Sequence, residues 1–109
     1  MSSVWPKASA AAVLLAAAAA SGAHAAEAEP PGKRLFLNAT PPCALCHSLN
    51  DAGAIGAIGP SLDELKPNAQ RVATAVRTGI GLMPPYPDLS DDEVQSIARY
   101  VARASGGGD

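Results

Sequence analysis

The pentapeptide Cys43-Ala44-Leu45-Cys46-His47 constrains this chain more than any other stretch, because it holds both cysteines and one of the two histidines in 109 residues. If Cys43 begins a helical turn, Cys46 lies one turn further on, and both sulfur atoms face the same side. His47 stands four positions after Cys43 and falls on that side as well. The chain is therefore expected to present two thiols and an imidazole to a common partner.

The N-terminal quarter has the three-part organisation of a secretory signal peptide. Residues 1–7 carry one positive charge and precede an uninterrupted apolar run over residues 8–20. Ala23 and Ala25 form the small-x-small pattern that signal peptidases accept, which predicts cleavage after Ala25. An uncleaved anchor is the alternative, but the 13-residue run is shorter than the roughly 20 residues that span a bilayer. We therefore expect a mature periplasmic protein without stable membrane insertion.

The mature chain has few large side chains from which to build a core. Removal of residues 1–25 leaves seven basic and ten acidic residues, a net charge of −3, which disfavours nucleic acid as a partner. The aromatic residues that remain are Phe36, Tyr86 and Tyr100. A domain this small is often stabilised by a disulfide, a metal or a similar staple, and a large apolar cofactor in its centre would serve the same purpose.

Beyond the signal peptide, the chain is predicted to form one domain between two flexible ends. The boundaries we predict are a flexible leader over residues 26–31, the domain over 32–104 and a flexible, glycine-rich tail over 105–109. Residues 47–60 are expected to begin as helix and to continue as a glycine-spaced loop. No segment shows the alternation of a strand. The prediction is an all-α domain of about four short helices joined by long loops.

Three segments carry the clearest helix signals. Residues 32–38 form a short helix candidate, and a longer one has Asn68 as its N-cap and Gly79 at its C-terminal turn. The strongest candidate follows Ser90, which forms a capping box with Glu93. Apolar residues then recur at helical spacing, so this last helix is predicted to bury one face.

Four chemistries could explain the paired cysteines. A catalytic thiol–disulfide pair suits the periplasm, but that motif normally belongs to a strand–helix context that this sequence lacks. A structural zinc ion needs four ligands, and the mature chain offers two cysteines and one histidine, so a carboxylate would have to complete an unusual site. A disulfide across two residues closes too small a loop to stabilise much. Covalent haem, held by both thiols and ligated by His47, uses all three side chains and is the interpretation that C-x-x-C-H favours.

With this motif behind a signal peptide, the sequence resembles the class I c-type cytochromes, which are small periplasmic electron carriers. The resemblance extends from Gly32 to about Ala104. It implies a cytochrome c-like fold wrapped around one covalently bound haem c. It also implies that Pro60, in the pair Gly59-Pro60, accepts a hydrogen bond through its carbonyl group from the free ring nitrogen of His47.

The resemblance further implies a contact between the first and last helices. In the family, a glycine and an aromatic residue of the first helix meet an aromatic residue of the last, and Gly32, Phe36 and Tyr100 occupy these positions. Here Phe36 stands seven residues before Cys43, further than is usual in the family, because residues 39–42 add a small loop. The mature chain also lacks the tryptophan that contacts a haem propionate in some relatives.

Met83 is the candidate for the second axial ligand of the iron. It is the only methionine left after cleavage, and it lies 36 residues past His47, which is far enough to reach the opposite face of a bound ring. Gly79 and Gly81 before it allow close approach of the backbone, and the prolines that follow stiffen the loop. The alternative is a methionine that fills a gap in the core. A methionine before the last helix is also the ligand that the family resemblance implies.

A His47/Met83 pair would fill both axial positions and leave no open site for substrates. The sequence therefore predicts an electron-transfer protein and not an enzyme. It would carry electrons from a dehydrogenase to an acceptor such as an oxidase or another cytochrome. From their positions in the loops, Ala44, Leu45, Ile58 and Leu82 are expected to form a small apolar docking rim. The alternative is that these residues pack in the interior.

Two further functions stay open at this point. The chain could be a cytochrome subunit bound tightly to a periplasmic dehydrogenase, such as a sulfite dehydrogenase, and so form the electron-accepting part of an oxidoreductase. It could also be a haem enzyme or gas sensor with an open iron site. In that case Met83 would not bind the iron.

Overall fold

The structure is a computed structural model that describes residues 2–4, 12 and 29–108. The predicted signal peptidase site and most of the predicted leader lie outside the described residues. Within them, none of the helices is both long enough and apolar enough to cross a membrane. The elements in chain order are α1 (Pro31–Asn38), α2 (Cys43–Cys46), β1 (Ser48–Leu49), a 3₁₀ turn (Asn50–Ala52), β2 (Ala54–Ile55), α3 (Leu62–Leu65), α4 (Ala69–Thr78) and α5 (Asp91–Ser105).

Helix α5 is the element against which α1, α3 and α4 pack. It starts where the sequence predicted, because Ser90 and Glu93 form a complete capping box. The Glu93 N–H donates to Ser90 Oγ at 3.1 Å, and the Ser90 N–H donates to Glu93 Oε1 at 2.9 Å. The helix ends at Gly106, which has a left-handed φ of 83°. Its buried side is formed by Val94, Ile97, Ala98, Tyr100, Val101, Ala102 and Ser105.

Helix α1 crosses α5 at a point where only glycine fits. A Cβ atom on Gly32 would collide with the carbonyl oxygen of Ser96 and with Cβ of Tyr100. One turn later, Phe36 is buried and meets the ring of Tyr100 edge-on, with ring centroids 6.1 Å apart. The contact expected from Gly32, Phe36 and Tyr100 is therefore present in this chain.

Helix α4 lies on another side of α5 and leads into the loop that carries Met83. Asn68 caps its start, accepting the Arg71 N–H at 2.8 Å. Ala73 and Val76 are buried, and Gly79, with a φ of 68°, ends the helix. Both predicted caps are confirmed.

The segment after α2 differs from the prediction. Residues 48–55 form a short antiparallel hairpin, in which Ser48 pairs with Ile55 and Leu49 pairs with Ala54. A 3₁₀ turn and Gly53, at a φ of 62°, reverse the chain. The prediction that this segment begins as helix was therefore wrong. Strands of two residues are too short to show an alternating pattern, which is why the sequence did not indicate them. Apart from this hairpin, the described elements are helices, as predicted.

Candidate functional site

The two cysteines lie on the single turn of α2, which follows Pro42 directly. The His47 N–H donates to the carbonyl oxygen of Cys43 at 2.9 Å, so the turn closes at the histidine. Cys43 is buried and Cys46 is half-buried, and both are free thiols. The structure thus places the two sulfur-bearing residues one helical turn apart, as their spacing predicted.

The buried environment of Cys43 weighs against thiol–disulfide catalysis. Burial raises the pKa of its thiol to about 11, so this thiol is protonated at neutral pH. Catalytic cysteines of that class depend on a lowered pKa, because the thiolate is the reactive form. Among the described residues, no three histidine, cysteine or carboxylate side chains come together in a way that could hold a metal ion such as zinc.

His47 is held by one hydrogen bond, which determines the orientation of its ring. Nδ1 of His47 lies 2.8 Å from the carbonyl oxygen of Pro60. A carbonyl oxygen only accepts, so Nδ1 carries the proton and donates. The lone pair of the neutral ring therefore resides on Nε2 and is available to a metal.

The loop after β2 packs tightly over α2 and over the His47 ring. A Cβ atom on Gly59 would lie 2.6 Å from Cε1 and 2.9 Å from Nδ1 of His47, so no larger residue fits without moving the ring. A Cβ atom on Gly56 would meet the backbone of α2 at 2.7 Å. The Gly59 N–H donates to the carbonyl oxygen of Cys46 at 2.7 Å. The two glycines thus let a loop press against the cysteine turn and support the histidine.

Met83 lies in a constrained loop between α4 and α5. Ile80 and Met83 exchange two backbone hydrogen bonds, of 3.0 and 2.9 Å, across a tight turn. Gly81 has a φ of 56° in that turn, a conformation that favours glycine. Met83 is half-buried at the edge of the core. The backbone of Met83 is therefore well defined. A residue that is to bind the iron without rearrangement needs a backbone of this kind.

Tyr86 is a residue of this site that the sequence interpretation missed. It is buried, and its hydroxyl donates to the carbonyl oxygen of Pro41 at 2.7 Å. It thereby joins the Met83 loop to the segment just before Cys43. Burial raises the pKa of Tyr86 to about 12, and the nearby cysteines raise it as well. One signal pointed to it, since Phe36 and Tyr100 were assigned to the helix contact and Tyr86 was the aromatic residue left without a role.

Several large apolar side chains of these loops are exposed. Leu45, Ile58 and Leu82, three of the four residues of the predicted docking rim, are exposed, Leu82 to 93%. Ala44, the fourth, is half-buried and packs against the core. The apolar face, as we call it below, consists of Leu45, Ile55, Ile58, Ile80 and Leu82.

The segments that form the apolar face carry almost no charge. Residues 40–62 and 79–87 contain one charged residue, Asp51. Asp51 is engaged elsewhere, accepting a hydrogen bond from the Tyr100 hydroxyl at 2.6 Å and lying 3.9 Å from Lys33 Nζ. The face is therefore apolar and close to electrically neutral.

The residues present fit a covalently attached haem. Two free thiols on one helical turn can form two thioether bonds to a single ring, and His47 directs Nε2 away from the Pro60 carbonyl group. Glycines at 56, 59 and 79 allow backbone to approach closely where side chains would collide. The surrounding loops supply apolar side chains, which suit a largely apolar ring.

Comparison with known families agrees with this chemistry. A family model described as cytochrome C oxidase, cbb3-type, subunit III matches residues 27–101 of the chain. The match covers the two cysteines, His47 and Met83 together. No curated protein matches the chain.

A solved structure shows the same similarity. The chain is similar to the c-type cytochrome SorU from Sinorhizobium meliloti, with 50% sequence identity and a TM-score of 0.68. The alignment covers 72% of this chain and 92% of that chain. The predicted cytochrome c-like fold is thereby confirmed.

Proposed function

The chain belongs to the c-type cytochromes, electron carriers with covalently bound haem c, and from this premise we propose a periplasmic one-electron carrier with His47 and Met83 as axial ligands. Cys43 and Cys46 form the two thioether bonds. When bound, the haem iron supplies a one-electron change between Fe(III) and Fe(II). The observation that carries this proposal is the hydrogen bond between His47 and Pro60, which leaves Nε2 free for the metal.

The role of His47 follows from its surroundings. Its Nδ1–H donates to Pro60, and this bond holds the tautomer and increases the basicity of Nε2. Gly59 lies against the ring, and its lack of a side chain leaves the ring the space it needs for that bond. An imidazole held in this way keeps the same position in both oxidation states, which limits rearrangement during electron transfer.

Met83 would supply the second ligand through its thioether sulfur. The turn from Ile80 to Met83 and the two following prolines hold its backbone, so little conformational freedom is lost on ligation. A thioether favours ferrous iron and raises the reduction potential relative to harder ligands. With both axial positions filled, small molecules have to displace Met83 before they can bind.

The chain supports electron transfer without proton chemistry. Its other histidine, His24, lies in the predicted signal peptide, so the mature chain has no second imidazole to act as a general acid or base. Asp91 and Asp92 are exposed in the first turn of α5, where they suit the positive end of the helix dipole. The histidine content of the mature chain and the position of these two carboxylates therefore give no indication of a catalytic acid.

We propose that the apolar face is the surface through which redox partners dock. Leu82 and Ile55 are 93% and 90% exposed, and both belong to segments without nearby charge except Asp51. Exposed apolar patches of this kind mark interaction sites in small proteins. The partners proposed are a periplasmic dehydrogenase as donor and an oxidase or another cytochrome as acceptor.

Tight assembly with a dehydrogenase is the second candidate, and the same face favours it. A free shuttle and a bound subunit differ in whether the cytochrome leaves its donor between electrons. Gel filtration of extract from the producing cells separates them. A subunit migrates with a larger enzyme, whereas a shuttle elutes at the size of a small monomer.

The ligand assignment is tested with Met83→Ala, using Leu82→Ala as the neighbouring control. The wild-type protein is expected to stain for haem on a denaturing gel and, when ferric, to show the weak near-infrared sulfur-to-iron band. Met83→Ala should lose the band, bind cyanide and carbon monoxide rapidly and have a lower potential, while Leu82→Ala should retain the wild-type spectrum. A wild-type protein without the band that already binds carbon monoxide rapidly would refute the proposal in favour of an open-site enzyme or sensor.

Export is tested on the same preparation. N-terminal sequencing of the haem protein from a periplasmic fraction is expected to begin at Ala26. A chain that still begins at its first residues, found with the membranes, would contradict both the cleavage site and the proposed compartment.

A further inference from the structure

Tyr86 connects three parts of the domain. Its N–H donates to the carbonyl oxygen of Val76, near the end of α4, at 2.9 Å. Its own carbonyl oxygen accepts the N–H of Leu89, just before α5, at 3.3 Å. Its hydroxyl donates to Pro41, which is 45 residues earlier in the chain. The first two bonds tie the residue to the end of α4 and to the segment just before α5, and the third reaches across to the segment before the cysteines.

The acceptor at Pro41 belongs to the short loop between α1 and α2. This loop consists of residues 39–42. The structure places the Pro41 carbonyl group of that loop against the Tyr86 hydroxyl, at 2.7 Å. This loop thus provides the acceptor in a contact between the cysteine segment and the Met83 loop.

Tyr86 is stiffly coupled to Met83. Only Pro84 and Pro85 separate them, and each proline restricts its own φ to about −65°. Pro84 also restricts the backbone of Met83, the residue before it. On the other side, Gly79 packs against the Met83 carbonyl oxygen and against Pro85, so the loop has little room to rearrange. Where Tyr86 is held, the backbone of Met83 is held as well.

We propose that Tyr86 is a positioning residue whose hydrogen bond to Pro41 keeps Met83 on the iron by restraining the opening of its loop. This inference rests on the proposed Met83 ligation. The bond spans the two segments that must separate if the Met83 loop swings away from the cysteine turn. Without the bond, Met83 still binds the iron at equilibrium but stays bound for a shorter time. The reason is that opening of the Met83 loop then breaks one fewer interaction.

The test compares haem-bound wild type with Tyr86→Phe, Tyr100→Phe and Met83→Ala. Tyr86→Phe removes one hydroxyl and keeps the ring. Tyr100→Phe is the matched control, because it removes the hydroxyl of the other buried tyrosine, which bonds to Asp51 and not to the Met83 segment. The probe is imidazole added in excess to the ferric protein. Its limiting rate of binding reports the rate at which Met83 leaves the iron.

We expect Tyr86→Phe to keep the sulfur-to-iron band and a reduction potential close to that of the wild type. Its limiting imidazole rate should rise about three- to tenfold, the effect of losing one hydrogen bond. Tyr100→Phe should bind imidazole at the wild-type rate. Denaturant unfolding of both variants shows whether they lose comparable global stability.

Two results would overturn the inference. One is an unchanged imidazole rate in Tyr86→Phe, and the other is an equal rise in Tyr100→Phe, which would indicate general loosening of the fold. If Met83 does not bind the iron at all, the outcome is distinguishable from both of these results. The wild type would then lack the band and would bind imidazole as fast as Met83→Ala does.

Discussion

Nδ1 of His47 lies 2.8 Å from the carbonyl oxygen of Pro60, and Gly59, the residue just before that proline, lies against the imidazole ring. One residue thus orients the ring through a hydrogen bond, and its neighbour leaves the space that the ring occupies. The glycine matters for its lack of a side chain, since its φ is not in the left-handed region.

Gly59→Ala is expected to displace the His47 ring. The added Cβ atom would lie 2.6 Å from Cε1, closer than any ordinary contact, so either the ring tilts or the loop moves. In both cases the bond to Pro60 weakens. We expect a lower yield of haem-bound protein and altered electron paramagnetic resonance g-values of the ferric form.

Gly53→Ala is the control for the Gly59 variant. Gly53 has a φ of 62° and nothing near the position of an added Cβ atom, so the substitution adds strain of about 1–2 kcal/mol without touching the site. It should lower the stability and leave the g-values unchanged. A normal spectrum in Gly59→Ala would show that the ring tolerates the extra methyl group.

Gly32→Ala is expected to destabilise the fold by about 1–3 kcal/mol, in the range of overpacked cores. The added Cβ atom would collide with the Ser96 carbonyl oxygen and with Tyr100, where α1 crosses α5. The sign of the change in unfolding free energy is diagnostic, because replacing glycine by alanine within an open helix stabilises a protein by about 0.5–1 kcal/mol. Denaturant unfolding of the haem-bound protein measures the difference, and a gain in stability would contradict the close crossing.

Stability at alkaline pH is expected to depend on Tyr100. Burial and the carboxylate of Asp51 raise the pKa of this tyrosine above its ordinary range. Above about pH 10, Tyr100 loses its phenolic proton in the unfolded chain but keeps it in the folded chain. The free energy of unfolding therefore falls as the pH rises. Below that pH, both states are protonated and this group contributes no pH dependence.

Tyr100→Phe should therefore weaken the pH dependence above pH of about 10. At pH 8 the variant should be less stable by about 1–2 kcal/mol, because it lacks a hydrogen bond to a charged acceptor. Denaturant unfolding across this pH range gives both quantities. Parallel curves of unfolding free energy against pH for wild type and variant would show that ionisation of Tyr100 is not coupled to folding.

Leu82→Lys is expected to slow electron transfer through the apolar face. Self-exchange between oxidised and reduced copies is a useful probe, because it requires no identified partner. A lysine on each copy places like charges across a desolvated contact, which should lower the self-exchange rate about tenfold or more at low salt. Nuclear magnetic resonance line broadening in mixtures of the two redox states measures the rate.

The matched control is Gln70→Lys, which adds the same charge at an exposed position of α4, outside the apolar face. Its self-exchange rate should stay close to that of the wild type. Equal slowing by both variants would attribute the effect to net charge and would remove the evidence for docking at Leu82.

The features predicted correctly from the sequence are those that local interactions decide. The caps at Asn68, Gly79 and Ser90 lie next to the backbone groups they satisfy, so a few residues are enough to identify them. The same holds for Cys43 and Cys46, whose separation by one turn is a property of helical geometry alone. The cytochrome c-like fold was predictable because this motif is specific and its helices are clearly marked.

The remaining features depend on contacts between distant parts of the chain. The hairpin at residues 48–55 has strands of two residues, and pairing rather than periodicity creates it. Ala44 packs inward although its neighbour Leu45 is exposed, which the position of α2 against the core determines. No local pattern carries this information.

The sequence by itself determined the chemistry of the site, because the residue types and spacing of Cys43, Cys46 and His47 favour covalent haem over the other chemistries that paired cysteines allow. Only the tertiary structure decided how the side chains around that chemistry are held. The bond from Tyr86 to Pro41 joins residues 45 positions apart, and the bond from His47 to Pro60 spans 13. Which carbonyl group meets which donor at such separations depends on how the helices pack, and packing is a property of the whole chain.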